Sequence, residues 1–172
     1  MASDSPVHNV SVVTADGATG EQFASLTSLL ADVRRLLRMD VVFVSQFLDG
    51  RRYFRHVEAQ EGGGPVPRVG DSDALADTYC HRIVSGRLPQ VIPDTGALQE
   101  TAGLAVTHAL EIGSYIGVPI RLKNGELYGT LCCFSRAPDP RLSSAAAAKL
   151  RGVARAVAAR LQQTLREDQS GP

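Results

Sequence analysis

From Phe23 onward the apolar positions recur at Leu26, Leu30, Val33 and Leu37, in alternating steps of three and four that lay one stripe along a helix. Leu29 and Leu36 widen that stripe. Before it, Thr19 to Gln22 (TGEQ) has the form of a capping box, and Arg34, Arg35 and Arg38 place cations at the C-terminal end of the helix dipole. The period then falls to two. VVFVSQFL (41–48) and RRYFRHVEA (51–59) are β-rich runs separated by Asp49-Gly50, a pair that accepts the positive φ angles of a type I′ turn, so an antiparallel hairpin is predicted. EGGGPVPRVGDSD (61–73) follows as a surface loop, its glycines and prolines excluding helix and strand.

Asp71, Ser72 or Asp73 then caps a predicted helix that ends near Gly86. Leu75, Ala76, Tyr79, Cys80, Ile83 and Val84 form its apolar face. Cys80 lies mid-face, and His81, rotated by about 100°, groups with Asp77, Thr78 and Ser85. LPQVIPD reads as a short strand, and ALQETAGLAVTHALEIG as a loosely helical crossing segment. SYIGVPIRL and LYGTLCCF flank Asn124-Gly125, a strong two-residue hairpin signal. That turn pairs Leu122 with Leu127, Ile120 with Gly129, Val118 with Leu131 and Ile116 with Cys133, all on an aliphatic face. The other face carries Tyr115, Gly117, Pro119 and Arg121 against Tyr128, Thr130, Cys132 and Phe134, a mixture of rings, small residues and polar handles suited to surrounding a ligand. A last helix begins at Ser143 or Ser144, its stripe running through Leu150, Ala154, Val157, Leu161 and Thr164 or Leu165.

Composition narrows the function classes. A chain of 172 residues suffices for one domain with its own core, and 18 basic against 18 acidic residues removes the electrostatic footprint of a nucleic-acid binder. Three cysteines without framework spacing speak for a reducing compartment, and the N-terminus lacks the basic and apolar regions of a secretory signal, so a cytoplasmic location is expected. No segment has the apolar run of a membrane span.

Candidate chemistry is sparse. Cys80-His81 could be an activated thiol, but neighbouring helical side chains diverge, which favours a structural cysteine beside a surface histidine. Cys132 and Cys133 point to opposite faces of a strand and neither pair nor chelate together; Cys133 belongs to the core and Cys132 to the mixed face. His56, His108, Asp94, Glu100 and Glu111 lack zinc-site spacing. A haem held by one histidine needs no linear motif, which leaves His108 as a candidate ligand. Arg34, Arg35, Arg38, Arg51 and Arg52 are read as a solvated surface. Neither a phosphate loop nor a Gly-x-Ser-x-Gly elbow occurs.

DTYCHRIVSGRLPQVIPDT and GSYIGVPIRLKNGELYGTLCCFS, in this order, resemble the paired motifs of the GAF family of sensory domains across residues 19–167. The resemblance implies an α+β fold with a central antiparallel sheet of five to six strands, terminal helices on one face and a ligand pocket on the other. Outside that span a flexible segment over 1–18 and a disordered tail over 168–172 are expected. The chain is similar to bacterial GAF domains found beside cyclic-di-GMP turnover modules or histidine kinases. Covalent bilin binders of the family carry a cysteine in the crossing segment, where this chain has none, and the cysteines do not match those of free methionine sulfoxide reductases. A catalytic role is therefore not expected.

The expectation that follows is a small-molecule sensor signalling through the terminal helices of a homodimer to an effector module, with neither nucleic acid nor membrane as partner. Tyr79, Asp94, His108, Tyr115, Arg121, Tyr128, Thr130 and Cys132 are the expected ligand contacts, and the ligand itself is open. The alternatives are a ligand-free dimerisation module and a cysteine-based redox sensor or reductase.

Overall fold

The computed structural model describes residues 20–171, with the backbone alone over 20–24. Helix α1 (Gly20–Leu37) leads through Arg38, at φ 54°, into β1 (Val41–Leu48) and β2 (Arg51–Ala59). After a loop come the short strand β3 (Ser72–Ala74), a 3-10 turn (Leu75–Asp77) and α2 (Tyr79–Val84). Strand β4 (Val91–Ile92), α3 (Gln99–Ala102) and α4 (Ala105–Ala109) form the crossing segment. The hairpin β5 (Ser114–Arg121) and β6 (Leu127–Ser135) and the long α5 (Ser144–Gln169) complete the chain.

The six strands form one sheet in the order β3-β2-β1-β6-β5-β4, every neighbouring pair antiparallel. The two hairpins meet through β1 and β6, so the centre of the sheet is built from residues far apart in sequence. Because side chains alternate across a strand, each face has its own core. On one face Val42, Val44, Ile116, Val118, Leu131 and Cys133 pack against the stripes of α1 (Leu26, Leu30, Val33) and α5 (Leu150, Ala154, Val157). Full burial of each large aliphatic side chain there is worth about 1.5–3 kcal/mol. On the other face Val41, Phe43, Phe54, Tyr115, Cys132 and Phe134 pack beneath α2 and the crossing segment. This is the expected α+β arrangement, with the terminal helices on one face.

Local departures have identifiable causes. Asp49 and Gly50 both take positive φ (52° and 72°) and make the type I′ turn with Leu48 opposite Arg51, as expected. At the second hairpin only Gly125 does so (φ 84°), while the Asn124 Oδ1 accepts from the Glu126 amide at 2.9 Å. That local bond holds Asn124 out of the left-handed region, so the turn takes in Lys123 to Gly125 and Arg121, not Leu122, pairs with Leu127. The shift lies between Ile120 and Arg121 and leaves the three inner pairs in their expected register. It moves Tyr128 off the mixed face and into the helix-side core, correcting its assignment.

The loop after β2 is interrupted by β3, whose Ser72, Asp73 and Ala74 pair with Tyr53, Arg52 and Arg51. The cap of α2 is Thr78, whose Oγ1 accepts from the His81 amide at 3.2 Å, because the expected helix is divided into a 3-10 turn and one short α-helix. The capping box at Thr19 lies outside the described residues. No helix among the described residues is long and apolar enough to cross a membrane.

Candidate functional site

At the centre of the second face, α2 lowers Tyr79 and Cys80 onto β5 and β6. Tyr79 stacks at a tilt on Tyr115, ring centroids 4.6 Å apart. Cys80 is fully buried within a polar knot: its Sγ lies 3.6 Å from the Tyr115 hydroxyl, 3.9 Å from the Cys132 Sγ and 3.7 Å from Arg52 Nη1. Ser45 and Thr130, opposite one another on β1 and β6, share a hydrogen bond of 2.7 Å, and the Cys132 thiol donates to the Thr130 hydroxyl at 3.3 Å.

Arg52 is the charge in this knot. It is only 3% exposed, its guanidinium lies 3.9 Å from the Phe54 ring centre, and it forms an ion pair with Asp73 of β3. Burial opposes ionisation of Cys80. The hydrogen bond with Cys132, the charge of Arg52 and the hydroxyls of Thr130 and Tyr115 outweigh it and hold the thiol well below its ordinary value. Burial and the proximity of Cys80 push Cys132 well up, and Tyr115 rises through burial and its two sulfur neighbours.

The crossing segment is tied down by a relay of hydroxyls. The Tyr79 hydroxyl bonds Thr107, Thr107 donates to the Thr101 carbonyl at 2.5 Å, Thr101 to the Thr95 carbonyl, and Thr95 to the Ile112 carbonyl at 2.5 Å. These bonds satisfy the buried threonine hydroxyls and tie α3 and α4 to the segments before and after them. Arg136, just past β6, adds a clasp: its guanidinium donates to the carbonyls of Gly63, Pro65 and Leu110.

The hollow expected beneath Tyr115 is displaced. Tyr79, Cys80 and Phe134 fill the space there, leaving a pocket of only about 10 Å³ bordered by Arg52, Tyr79, Tyr115, Val106 and Leu110. The larger opening, about 620 Å³, lies beside it at the β2–β3 edge. Phe54 forms its floor, Val66 and Pro67 one wall, and Leu104, Val106 and Leu110 the other. Asp71, Asp73 and Asp77 rim it against one cation, Arg68. The physical reason for the displacement is that Tyr115 and Tyr79 point inward and stack, so the residues read as ligand handles consume their own cavity.

Of the expected contacts, Tyr79, Tyr115, Thr130 and Cys132 come together, but in the filled knot. Asp94 and His108 border a separate shallow depression with Glu111 and Arg136. There Asp94 caps the Gly96 amide at 2.9 Å, and His108 Nε2 lies 2.9 Å from the Ala102 carbonyl on the surface. Arg121 is exposed at the far hairpin, its Nη1 3.5 Å from the Gly125 carbonyl. Arg52, read as a surface cation, is instead buried. The signal was its phase: the Asp49-Gly50 turn puts Arg52 on the same side of β2 as Phe54, and both are buried. Among the described residues no group of three or more His, Cys, Asp or Glu is placed to hold a metal ion.

A two-faced antiparallel sheet with terminal helices behind and a crossing segment over a cleft in front defines an α+β domain with one helix-covered face. The GAF domain family matches over residues 24–161, and the chain belongs to that family. Among solved structures, the red light-absorbing state of NpR6012g4, a red/green cyanobacteriochrome, superposes with a TM-score of 0.68 at 20% identity, covering 89% of this chain and 100% of that one. The blue-light absorbing form of the Thermosynechococcus elongatus PixJ GAF domain gives 0.67 at 19% identity, covering 87% and 90%. A type II free methionine-R-sulfoxide reductase from Thermoplasma acidophilum gives 0.64 at 16% identity, covering 84% and 94%. No relative among the curated proteins matches the chain. At these identities the structural likeness establishes the fold.

Proposed function

We propose that this GAF domain is a cytoplasmic sensor whose cleft between the β2–β3 edge and the crossing segment takes a small organic molecule without covalent attachment. The observation that carries this reading is the cleft itself, about 620 Å³, with an apolar floor and walls and a polar rim. With Asp73 already paired to Arg52, Asp71 and Asp77 against Arg68 leave the rim slightly acidic, so a neutral or cationic ligand is favoured over a nucleotide. Covalent capture as in bilin-binding relatives is disfavoured because all three cysteines are fully buried and none lines the cleft. His108 does not line it either and borders the separate depression instead, which weakens the haem reading. None of the expected contacts lines the cleft; Tyr79 lies beside it and bonds Thr107 of the crossing segment.

A ligand acts by favouring one arrangement of the crossing segment over another. β5 and β6 form the sheet on which α5 rests, so a change on the front face reaches the terminal helices through the shared strands and passes to an effector module. The apolar stripes of α1 and α5 are spent on the sheet. A homodimer would therefore use their outer faces, where Leu36 (65%) and Leu165 (43%) are exposed.

The test is a thermal-shift and ligand-detected NMR screen of neutral, cationic and anionic metabolites, together with an absorption spectrum of the purified chain. A neutral or cationic binder, raising stability by about 2.7 kcal/mol at a hundredfold excess over Kd, is the expected result. An absence of binders, or resonance shifts confined to α1 and α5, overturns it. The filled centre of the front face favours a second reading, a dimerisation module that needs no ligand. Sedimentation showing a monomer at high concentration removes that one.

A further inference from the structure

Cys80 and Cys132 are 52 residues apart in sequence, yet their sulfurs lie 3.9 Å apart, one on α2 and the other on β6. Both are free thiols without any solvent exposure. Such an approach could be mere packing, but three features surround it that packing does not require. The Arg52 guanidinium, itself buried, is aimed at the Cys80 sulfur, and its Nε has no hydrogen-bond partner. The hydroxyls of Ser45 and Tyr115 approach the same sulfur at 3.9 Å and 3.6 Å. A small pocket of about 10 Å³ between Arg52, Tyr79 and Tyr115 has room for roughly one water and shares Val106 and Leu110 with the cleft. The same neighbourhood of one cation and several hydroxyls would stabilise a thiolate.

We propose that Cys80 and Cys132 are a redox-active dithiol, oxidised by a small hydroperoxide to a disulfide that ties α2 to β6. The Cys80 thiolate attacks the terminal peroxide oxygen; the O–O bond breaks and the leaving oxygen departs as alkoxide or hydroxide, taking a proton from solvent. Cys80 is then a sulfenic acid. The Cys132 sulfur attacks that of Cys80, the S–O bond breaks, and the hydroxyl leaves as water with the Cys132 proton. Two thiols lose two electrons and the peroxide becomes an alcohol, or water, plus water. Arg52 is the positioning residue, holding charge beside the sulfur throughout. Closing the sulfurs from 3.9 Å to about 2.05 Å draws α2 toward β6. Tyr79 is next in the chain to Cys80 and bonded to Thr107, so the crossing segment feels that movement.

Cys133 is an internal control. It adjoins Cys132 in sequence but lies in the helix-side core, away from Arg52 and Cys80, and burial pushes its thiol up. The test exposes the native chain to hydrogen peroxide, then blocks remaining thiols with maleimide after denaturation and maps the peptides without reductant. Expected is a mass loss of about 2 Da, a fall from three blockable thiols to one, and a Cys80–Cys132 cross-link, all reversed by a dithiol reductant. Cys80→Ser and Cys132→Ser should each abolish the cross-link, and Cys133→Ala should leave it. Three intact thiols after peroxide exposure sufficient to oxidise the unfolded chain, or cross-links dominated by Cys133, would overturn the proposal; the wild-type map decides even if a variant misfolds. Because no cleft ligand is involved, failure here leaves the sensor reading standing, and a failed ligand screen leaves the dithiol standing.

Discussion

The Arg136 guanidinium donates from Nη1 to the Leu110 carbonyl at 2.7 Å, fastening the end of the crossing segment to the strand β6 that leads into it. With its bonds to Gly63 and Pro65 the same side chain reaches the segment leading to the other wall, so one residue sets the width of the cleft.

Arg136→Ala should therefore loosen both walls together. Hydrogen bonds from a charged donor are worth about 1.5–3 kcal/mol each when shielded, and this side chain is only half-buried, so a net loss of roughly 2 kcal/mol in urea unfolding is expected. Hydrogen exchange should accelerate over residues 61–66 and 108–112 and stay slow in β1 and β6. Arg121→Ala, at an exposed hairpin, should change neither reading.

The strands other than β3, the two terminal helices and the inner register of the β5–β6 hairpin were legible because each rests on a periodicity that burial enforces. The candidate site was less so. Tyr115 and Cys132 can be placed on the correct face from alternation alone, but whether that face is open depends on the inward stacking of Tyr79, which is a tertiary event. Tyr128 went to the other face because one side-chain bond from Asn124 altered the turn. The cleft is assembled from β2, the loop after it, β3 and the crossing segment, whose mutual approach no local pattern encodes.

Alkaline pH should destabilise the fold through Tyr115 and the two cysteines of β6. Burial raises all three, so they stay protonated in the folded chain while the unfolded chain ionises near pH 8.5 for cysteine and about 10 for tyrosine. Their contribution is complete below those unfolded values and is lost as pH rises toward the folded ones, at about 1.4 kcal/mol per pH unit for each group. Cys80 has the opposite sign: its contribution is present above the unfolded cysteine value and is lost as pH falls through its depressed folded value. Stability measured by urea unfolding should hold or rise slightly toward pH 8.5 and then decline. Tyr115→Phe should flatten the part of that decline above pH 10.

Two glycine substitutions should move stability in opposite directions. A Cβ at Gly129 would sit 1.9 Å from the Ser45 carbonyl oxygen, a backbone atom fixed in the middle of the sheet. Gly129→Ala should cost more than about 3 kcal/mol or prevent folding, visible as loss of soluble protein. Gly152 is inside α5, and the nearest atom to its added Cβ is the flexible end of Arg155 at 3.8 Å. Gly152→Ala should raise stability by about 0.5–1 kcal/mol through helix propensity.

Ala105→Trp distinguishes the cleft from the knot beside it. Ala105 is exposed at the start of α4 and lines the cleft, so an indole there occupies ligand space without entering the Tyr79–Tyr115 stack or the dithiol. The thermal midpoint of the free protein should change by no more than a few degrees, since no buried contact is removed. Any ligand found by screening should lose at least tenfold in affinity, while peroxide-driven loss of thiols continues. If the midpoint is preserved and ligand affinity is unchanged, the molecule binds elsewhere, and the β2–β3 cleft is not its site.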